Sequence, residues 1–373
     1  MKVAADYPVL HVLTPARQGG LERVVEMLAL GQAPKGVHVA SVVGPNDAND
    51  HPFVAKLRAA GIPVTPIVVE AREYRREFQL LSDLVEKLKP RIVHTHGYRA
   101  DVMGLLLRRR SGVPHVSTVH GFVGGTLRNR IYENVQRYVL RRASGVIAVS
   151  RPLVEKLSLS GIPRKKIHLV ANGLSLSEPG LTREAARLAL GIDHSAQTGG
   201  WIGRLSREKG PDIMIEAIGA AGKRWHLAMI GDGPATQVIR RRVVELGLSE
   251  RVTLHGELPN AARYLAAFDA FILSSRTEGT PIALLEAMHA GVPVLAASVG
   301  GVPDVVGDDT ALVVPAEDPG AIARALHVLE SDPDGARRRA EMAKMRIESH
   351  FDLKSWVEMH ESVYRTVVRQ LLG

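Results

Sequence analysis

The sequence predicts an α/β protein made of two doubly wound, parallel-sheet domains facing each other across a cleft. Three observations carry this reading. Apolar runs of roughly four to seven residues alternate with helix-length amphipathic segments along the chain, the signature of βαβ units. The alternation stops from Ala171-Asn172-Gly173-Leu174 through Pro179-Gly180, a stretch of turn chemistry, and then restarts. The 373 residues exceed one ordinary core and suit two domains of about 180 each.

In order, the first half opens on a strand over Pro8 to Thr14, and Gly19-Gly20-Leu21-Glu22 starts a helix running to about Leu30. Strands follow over Val37 to Val43, Ile62 to Val69, Arg91 to His94, Pro114 to Val119 and Gly145 to Val149. The helices between them include a polar amphipathic one over Tyr74 to Lys87 and a basic one over Leu127 to Arg142. These make a domain of residues 1–170, joined by a linker, 171–181, to a second domain, 182–352. The second domain's strands are expected at Gly200 to Gly203, Trp225 to Gly231, Val252 to His255, Ala270 to Leu273, Val292 to Ala297 and Ala311 to Val314. Residues 353–373 form a helix with Trp356, Met359, Val363, Val367 and Leu371 at helical spacing. Ligands of doubly wound sheets bind beyond the carboxyl ends of the strands, which places the site in the cleft.

Composition removes several classes of function. With no cysteine, disulfides, thiolate metal sites and thiol nucleophiles are excluded. The longest apolar runs, such as Gly145 to Val149, fall far short of the roughly 20 residues of a membrane span. Met1 to Gly20 lacks the architecture of a signal peptide, so a cytoplasmic location is expected. The net charge of +9 is concentrated in arginine clusters at Arg72, Arg75 and Arg76, at Arg108 to Arg110, at Arg128, Arg130, Arg141 and Arg142, and at Arg240 to Arg242. Each cluster alone reads as a solvated helix face; together they favour peripheral contact with anionic lipid on the inner face of a membrane, worth about 1 kcal/mol per cation. Nucleic acid is disfavoured as a partner, because aromatics are only 4%, few for a stacking platform.

Two segments carry the chemistry. Gly203-Arg204-Leu205-Ser206-Arg207-Glu208-Lys209-Gly210 follows a short apolar strand and puts Arg204 and Lys209 on a loop. A guanidinium grips two phosphate oxygens at once and an ammonium adds a point charge, so the pair suits a diphosphate. With no clear Asp-x-Asp metal motif, these cations are expected to do what a metal would otherwise do. The second segment, Glu278-Gly279-Thr280-Pro281-Ile282-Ala283-Leu284-Leu285-Glu286, places two carboxylates with seven residues between them, with a helix starting near Pro281. The amides of Thr280, Ile282 and Ala283 would point at a phosphate, Glu286 at ribose hydroxyls and Glu278 at the hydroxyls of a sugar. Taken singly, each segment also reads as ordinary surface charge; the pairing makes the case for a nucleotide-diphosphate sugar.

Weaker signals complete the set. Gly19-Gly20 is a strand-to-helix turn able to approach a phosphate, without the G-x-G-x-x-G spacing. Gly231-Asp232-Gly233-Pro234 is another strand-end turn, with Asp232 read as structural. His94-Thr95-His96 and His120-Gly121 end two predicted strands, so three imidazoles can approach one another. No carboxylate stands at ligand spacing, so a metal is not assigned; His94 is read as a hydrogen-bonded strand-end residue and His120 as a sugar contact. No nucleophile elbow or Ser-His-Asp pattern supports acyl hydrolysis.

On these residues the chain resembles the retaining glycosyltransferases of family 4, which have the GT-B fold of two Rossmann-like domains. The resemblance spans the whole length. It is carried by Gln18 to Glu22, His94 to Gly97, Val119 to Gly121, Asn172-Gly173, Gly203 to Gly210, Gly231 to Pro234, Glu278 to Ala287 and Gly300 to Val306. It implies a nucleotide-sugar donor on the C-terminal domain and a carbohydrate or lipid-linked acceptor on the N-terminal domain, with no cofactor or metal. Arg204 and Lys209 would then neutralise the diphosphate, Glu286 bind ribose, Glu278 and His120 contact the donor sugar, and Gly19 and Gly20 approach phosphates or acceptor. It also implies front-face attack with retention of anomeric configuration, and hinge motion at Asn172 to Pro179. Asp304 departs from the family, which often has glutamate there. Leu254 to Leu258 are expected to line the base pocket without choosing between uridine and guanosine. Two rivals stay open: a sugar-nucleotide epimerase of the same fold, and a non-catalytic basic membrane- or nucleic-acid-binding protein.

Overall fold

The structure is a computed structural model that describes residues 8–17, 19–47, 50–121, 127–175 and 178–372, with the side chains of 127–131, 371 and 372 outside the description. Gln18 and the side chains of Arg128, Arg130 and Leu371, all used above, therefore lie outside the description. The chain divides into two compact units: Met1–Gly173 with Leu353–Gly373, and Leu174–Asp352.

The first unit is a seven-stranded parallel sheet of β1 (Val9–Leu13), β2 (Val37–Val43), β3 (Val64–Val68), β4 (Ile92–His96), β5 (His115–Val119), β6 (Gly145–Ala148) and β7 (Ile167–Leu169), in the order β3-β2-β1-β4-β5-β6-β7. Helices α1 (Gly20–Gln32), α2 (Pro52–Ala59), α3 (Tyr74–Leu88), α4 (Tyr98–Ser111), α5 (Leu127–Arg142) and α6 (Arg151–Leu159) connect them. Strand alternation sorts β1 onto two cores. Leu10 and Val12 join Leu81, Val85, Met103 and Leu107 of α3 and α4, while Leu13 joins Val25, Ala29, Phe53 and Leu57 of α1 and α2. His11 has Leu13's parity and so faces the α1 side.

The second unit begins with α7 (Arg183–Leu190) and has a six-stranded parallel sheet: β8 (Gln197–Ile202), β9 (Trp225–Ile230), β10 (Val252–Gly256), β11 (Ala270–Leu273), β12 (Val294–Ala297) and β13 (Leu312–Val314), ordered β10-β9-β8-β11-β12-β13. Helices α8 (Pro211–Ala220), α9 (Thr236–Glu245), α10 (Ile282–His289), α11 (Val302–Val306), α12 (Pro319–Ser331) and α13 (Pro333–His350) follow. The buried indoles of Trp201 and Trp225 centre the core, with Ile213, Ile218 and Leu326 around them.

The last helix, α14 (Leu353–Leu372), returns to the first unit, where Trp356 and Tyr364 are each only 1% exposed. Its register is set by glycines. A Cβ at Gly31 of α1 would meet Val357, and one at Gly173 would stand 2.6 Å from the Cβ of Trp356. Among the described residues, no helix is long and apolar enough to cross a membrane.

Candidate functional site

In the second sheet the chain moves from β8 outward to β9 and β10, then crosses to β11 on the other side of β8. The loops after β8 and β11 therefore diverge from neighbouring strand ends, which is where open α/β sheets leave a ligand crevice. The loop after β8 is Gly203 to Gly210 and the loop after β11 runs from Ser274 to Pro281, so the two sequence motifs meet at this switch point.

Their meeting is an ion pair. The ammonium of Lys209 lies 2.8 Å from both carboxylate oxygens of Glu278, and Ser275 Oγ donates to Glu278 Oε1 at 2.7 Å. Glu278's side chain is 4% exposed and that of Lys209 33%, so the carboxylate is enclosed while the ammonium keeps a face to solvent. Arg276 braces the pair from behind. Its fork binds Asp212 at 2.6 and 2.8 Å, and it donates to the carbonyl of Arg207 at 2.8 Å. Arg204 is exposed and, among the described residues, makes no side-chain hydrogen bond or ion pair.

Close backbone packing fixes these loops. Gly231, with φ of +134°, lies where any Cβ would overlap the carbonyl oxygen of Gly203, and Gly300, with φ of +50°, stands in the same way against the carbonyl of Glu278. The amides of Gly203 and Leu205 donate to the carbonyls of Ile230 and Asp232, each at 3.0 Å, and Gly301 donates to Gly279 at 3.0 Å. The turns at Gly231 to Pro234 and Gly300-Gly301 thus hold the two charged loops in place. Asp232 is structural, as its reading from the sequence had it: Oδ1 accepts from the Gly233 amide at 2.7 Å and from the Thr236 hydroxyl, and these bonds hold its carboxyl below the usual range.

Pro281 is the N-cap of α10, and Ile282 is the first helical residue, one position later than a proline-first helix would have it. Ile282 and Ala283 are half-buried, and as first-turn residues their amides have no acceptor within the helix. Thr280 is buried, and half-buried Glu286 stands one turn along the same helix. The helix N-terminus, the exposed guanidinium of Arg204 and the open side of Lys209 together offer an anion two kinds of donor.

In the first unit the corresponding switch point lies between β1 and β4. Gly19, extended at φ of 174°, caps α1, and a side chain there would strike the carboxylate of Glu22. That carboxylate is buried, accepts from the Ala16 amide at 2.7 Å, and has its pKa raised by burial. Gly20 faces open space.

The first unit also holds a chain of histidines, of which His11, His94 and His96 are buried and His120 is half-buried. His11 Nδ1 is 3.0 Å from His96 Nε2, and His96 Nδ1 is 3.3 Å from His120 Nε2. His11 Nε2 meets Gln32 Oε1 at 2.7 Å, Gln32 Nε2 meets the hydroxyl of Tyr364 at 3.2 Å, and that hydroxyl meets His94 Nδ1 at 2.8 Å. His94 Nε2 ends the run on Thr118 Oγ1 at 2.7 Å. Nitrogens of His11, His94 and His96 lie within 4.8 Å of one another, close enough to ligate an ion. All six ring nitrogens, however, already have hydrogen-bond partners, so the arrangement is that of a hydrogen-bonded chain. Burial lowers the pKa of His11 and His120 to about 4, and those of His94 and His96 well below the ordinary value.

Residues 19–173 match the family described as "Glycosyl transferase 4-like domain", and residues 196–332 match "Glycosyl transferases group 1". The D-inositol 3-phosphate glycosyltransferase of Mycobacterium sp. (strain KMS) is 30% identical over 359 residues, 86% of this chain and 80% of that protein. The chain belongs to family 4 of the glycosyltransferases. The 2-deoxystreptamine N-acetyl-D-glucosaminyltransferase of Streptomyces fradiae is 28% identical over 67% of this chain and 65% of its own length. For D-inositol 3-phosphate glycosyltransferase 1 of Catenulispora acidiphila the figures are 28%, 65% and 64%. The chain thus spans just under two thirds of the length of these two relatives. Among solved structures, HepE of Anabaena in complex with UDP-glucose superposes with a TM-score of 0.85 at 20% identity, covering 97% of this chain and 100% of that one. Sucrose-phosphate synthase from Thermosynechococcus elongatus superposes at 0.83 and 22% identity, covering 98% and 100%. The fold of this family 4 glycosyltransferase is therefore GT-B.

Within the glycosyltransferase, the structure brings together Arg204, Lys209, Glu278 and the α10 N-terminus at one switch point, and sets Gly19, Gly20 and His120 in the other unit. Sequence reasoning paired His94, His96 and His120 but passed over His11, Gln32, His360 and Tyr364, and it passed over Ser275. The signal for His11 was available: an imidazole inside the apolar run Val9-Leu10-His11-Val12-Leu13 needs a buried partner.

Proposed function

We propose that this glycosyltransferase moves a sugar from a UDP- or GDP-linked donor to a hydroxyl acceptor with retention of anomeric configuration, without a metal, in cell-envelope polysaccharide or glycolipid assembly. The observation that carries this is the Lys209–Glu278 clamp at the β8/β11 switch point, beside exposed Arg204 and the start of α10. Lys209 spends two of its three N–H bonds on Glu278, leaving the third for a phosphate oxygen, and Arg204 adds a bidentate fork. Among the described residues, Glu278 Oε1 already accepts from Lys209 and Ser275, whereas Oε2 accepts from Lys209 alone. One acceptor position on Oε2 is left for a hydroxyl of the donor sugar. Glu286 takes the ribose hydroxyls, Thr280, Pro281, Ile282 and Ala283 form the phosphate-facing turn, and His120 contacts the sugar.

In the reaction the acceptor oxygen bonds to the anomeric carbon as the bond to the β-phosphate oxygen breaks on the same face. The acceptor's proton passes to a phosphate oxygen, so the products are a glycoside and a nucleoside diphosphate. Arg204 and Lys209 stabilise the charge that grows on the leaving diphosphate. UDP is the first nucleotide to try, since HepE is named as a complex with UDP-glucose. Basic groups of several elements also converge in the first unit. Arg108 donates to the carbonyl of Arg142 at 2.7 Å and Lys166 to that of Ala143 at 2.9 Å, with Arg109, Arg110 and Arg141 exposed nearby. This supports a peripheral contact with anionic lipid, which binding to anionic vesicles at low but not high salt would test.

The test is thermal stabilisation by UDP, GDP, ADP and their sugars, on wild type and on Glu286→Ala. A ligand at about 100 times its Kd adds roughly 2.7 kcal/mol. One nucleotide should stabilise the wild type selectively, and less so the variant; no response to any of them would overturn the assignment. Release of nucleoside diphosphate only when acceptor is present separates transfer from epimerisation.

A further inference from the structure

We propose that the buried chain from Gln32 through His11 and His96 fixes the tautomer of His120, so that its Nδ1 meets a ligand as a hydrogen-bond acceptor and never as a donor. The consequence for substrate rests on the reading above that His120 touches the donor sugar. The polarity follows from the amide of Gln32. Its contact to His11 Nε2 is 2.7 Å, which suits N–H···O and is short for two nitrogens. Its contact to the Tyr364 hydroxyl is 3.2 Å, long for a phenol donating to an amide oxygen and ordinary for an amide N–H donating to a phenol. The oxygen of Gln32 therefore faces His11, and the nitrogen faces Tyr364.

From that end each ring dictates the next. His11 donates from Nε2, so its Nδ1 is a lone pair. That lone pair accepts from His96 Nε2–H at 3.0 Å, which leaves His96 Nδ1 a lone pair in turn. His120 then donates from Nε2 to His96 Nδ1 at 3.3 Å and keeps its lone pair on Nδ1. On the other branch, Tyr364 donates to His94 Nδ1 and His94 Nε2–H donates to Thr118, so each ring N–H and the Tyr364 hydroxyl has one acceptor. Burial keeps these rings neutral, and a neutral ring has one N–H and one lone pair. Among the described residues, the one hydrogen bond to the His120 ring is that at Nε2.

His120 is half-buried at the end of β5, and its free acceptor position selects a ligand that brings a proton. A sugar hydroxyl satisfies it. A carboxylate, as in a uronic acid, places lone pair against lone pair and is rejected. His96, His11 and Gln32 are thus positioning residues that act on specificity through His120.

The experiment is a long-range ¹H–¹⁵N correlation spectrum of the full, ¹⁵N-labelled chain near pH 7.5, which distinguishes protonated from unprotonated ring nitrogens. His120 is assigned by the loss of its signals in His120→Asn. In the wild type, Nδ1 of His120 should be unprotonated and Nε2 protonated. In Gln32→Met, which removes the acceptor at the head of the chain, both nitrogens of His120 should move to intermediate shifts. His115, bonded to Thr95 at 2.8 Å and not to the chain, should stay unchanged and reports that the unit is folded. Tyr364→Phe, which frees the Gln32 amide to turn over, is the second variant and should mix the tautomers in the same way. A protonated Nδ1 in the wild type, or unchanged His120 shifts in a folded variant of either kind, overturns the proposal. Adding UDP-glucose and, separately, UDP tests the contact itself. A shift of His120 Nδ1 with the sugar nucleotide alone supports it; no shift at concentrations where thermal stabilisation shows binding overturns the contact, and the tautomer is judged on the first measurements.

Discussion

Replacing Lys209 by methionine removes the ammonium and keeps most of the chain's bulk, leaving Glu278 4% exposed with Ser275 as its remaining side-chain donor. Losing one partner of a buried ion pair costs about 3–5 kcal/mol, chiefly from the charge left behind. Here the ammonium is 33% exposed, so water can reach part of the vacated space, and about 2 kcal/mol is expected. For a unit of about 180 residues this lowers Tm by roughly 4–8 °C. The double variant Lys209→Met/Glu278→Gln removes the stranded charge as well and should regain about 1 kcal/mol or more over the single. Both should lose most of the stabilisation by nucleotide. Differential scanning fluorimetry of wild type, both singles and the double, each with and without UDP, completes the cycle. If the double variant were no more stable than Lys209→Met, the penalty would not come from an uncompensated carboxylate. If Lys209→Met were still fully stabilised by UDP, the ammonium would not hold the diphosphate.

Gly231→Ala puts a Cβ onto the Gly203 carbonyl at φ of +134° and should cost about 2–3 kcal/mol while weakening nucleotide binding. Gly247→Ala, at φ of +65° in open space, should cost about 1 kcal/mol and leave binding intact; urea titration and the UDP thermal shift report both. Acid should destabilise the first unit. His11, His120 and His360 have pKa values lowered by burial to about 4, and His115 to about 3, against 6.5 when unfolded. The unfolded state therefore binds more protons between pH 6.5 and about 4, and stability falls as pH drops through that window, by up to about 1.4 kcal/mol per pH unit for each histidine. Urea unfolding at pH 7.5 and 5.5 should show this, and equal midpoints at the two pH values would refute it.

The alternation of short apolar runs with amphipathic helices was enough to read the two parallel sheets, because strands buried on both faces leave a continuous apolar signal. Strand β8 was harder. It starts at Gln197, three residues before the expected Gly200, since Gly199 and Gly200 look like breakers. They belong in the strand because Ile272 and the ring of Phe268 occupy the space their side chains would need. Strand β7, three residues at the sheet edge beside Arg164-Lys165-Lys166, is too short to leave a periodicity. At the site, Arg204, Lys209 and Glu278 stood out by charge in glycine-flanked loops, and Glu286 by its spacing from Glu278. The Lys209–Glu278 bond did not, since sixty-nine residues separate the partners and sheet order alone brings them together. Tyr364 and His360 were not singled out: the helical spacing was carried by Trp356, Met359, Val363, Val367 and Leu371, and nothing local told which core that helix would enter.

The return of α14 to the first unit has a consequence for how the protein is made. Trp356 and Tyr364 fill the interior of a unit whose other described elements end at Leu169, and the whole of Leu174–Asp352 is synthesised between them. At roughly 5–20 residues per second, ribosomal synthesis holds the first unit open for on the order of 10–40 s, with the faces of α1 and β1 meant for α14 uncovered. The second unit, continuous in sequence, can close its core as it emerges. The part of the chain that is translated first is thus finished last, and its exposed apolar and histidine-lined seam is where a nascent-chain chaperone would have something to hold.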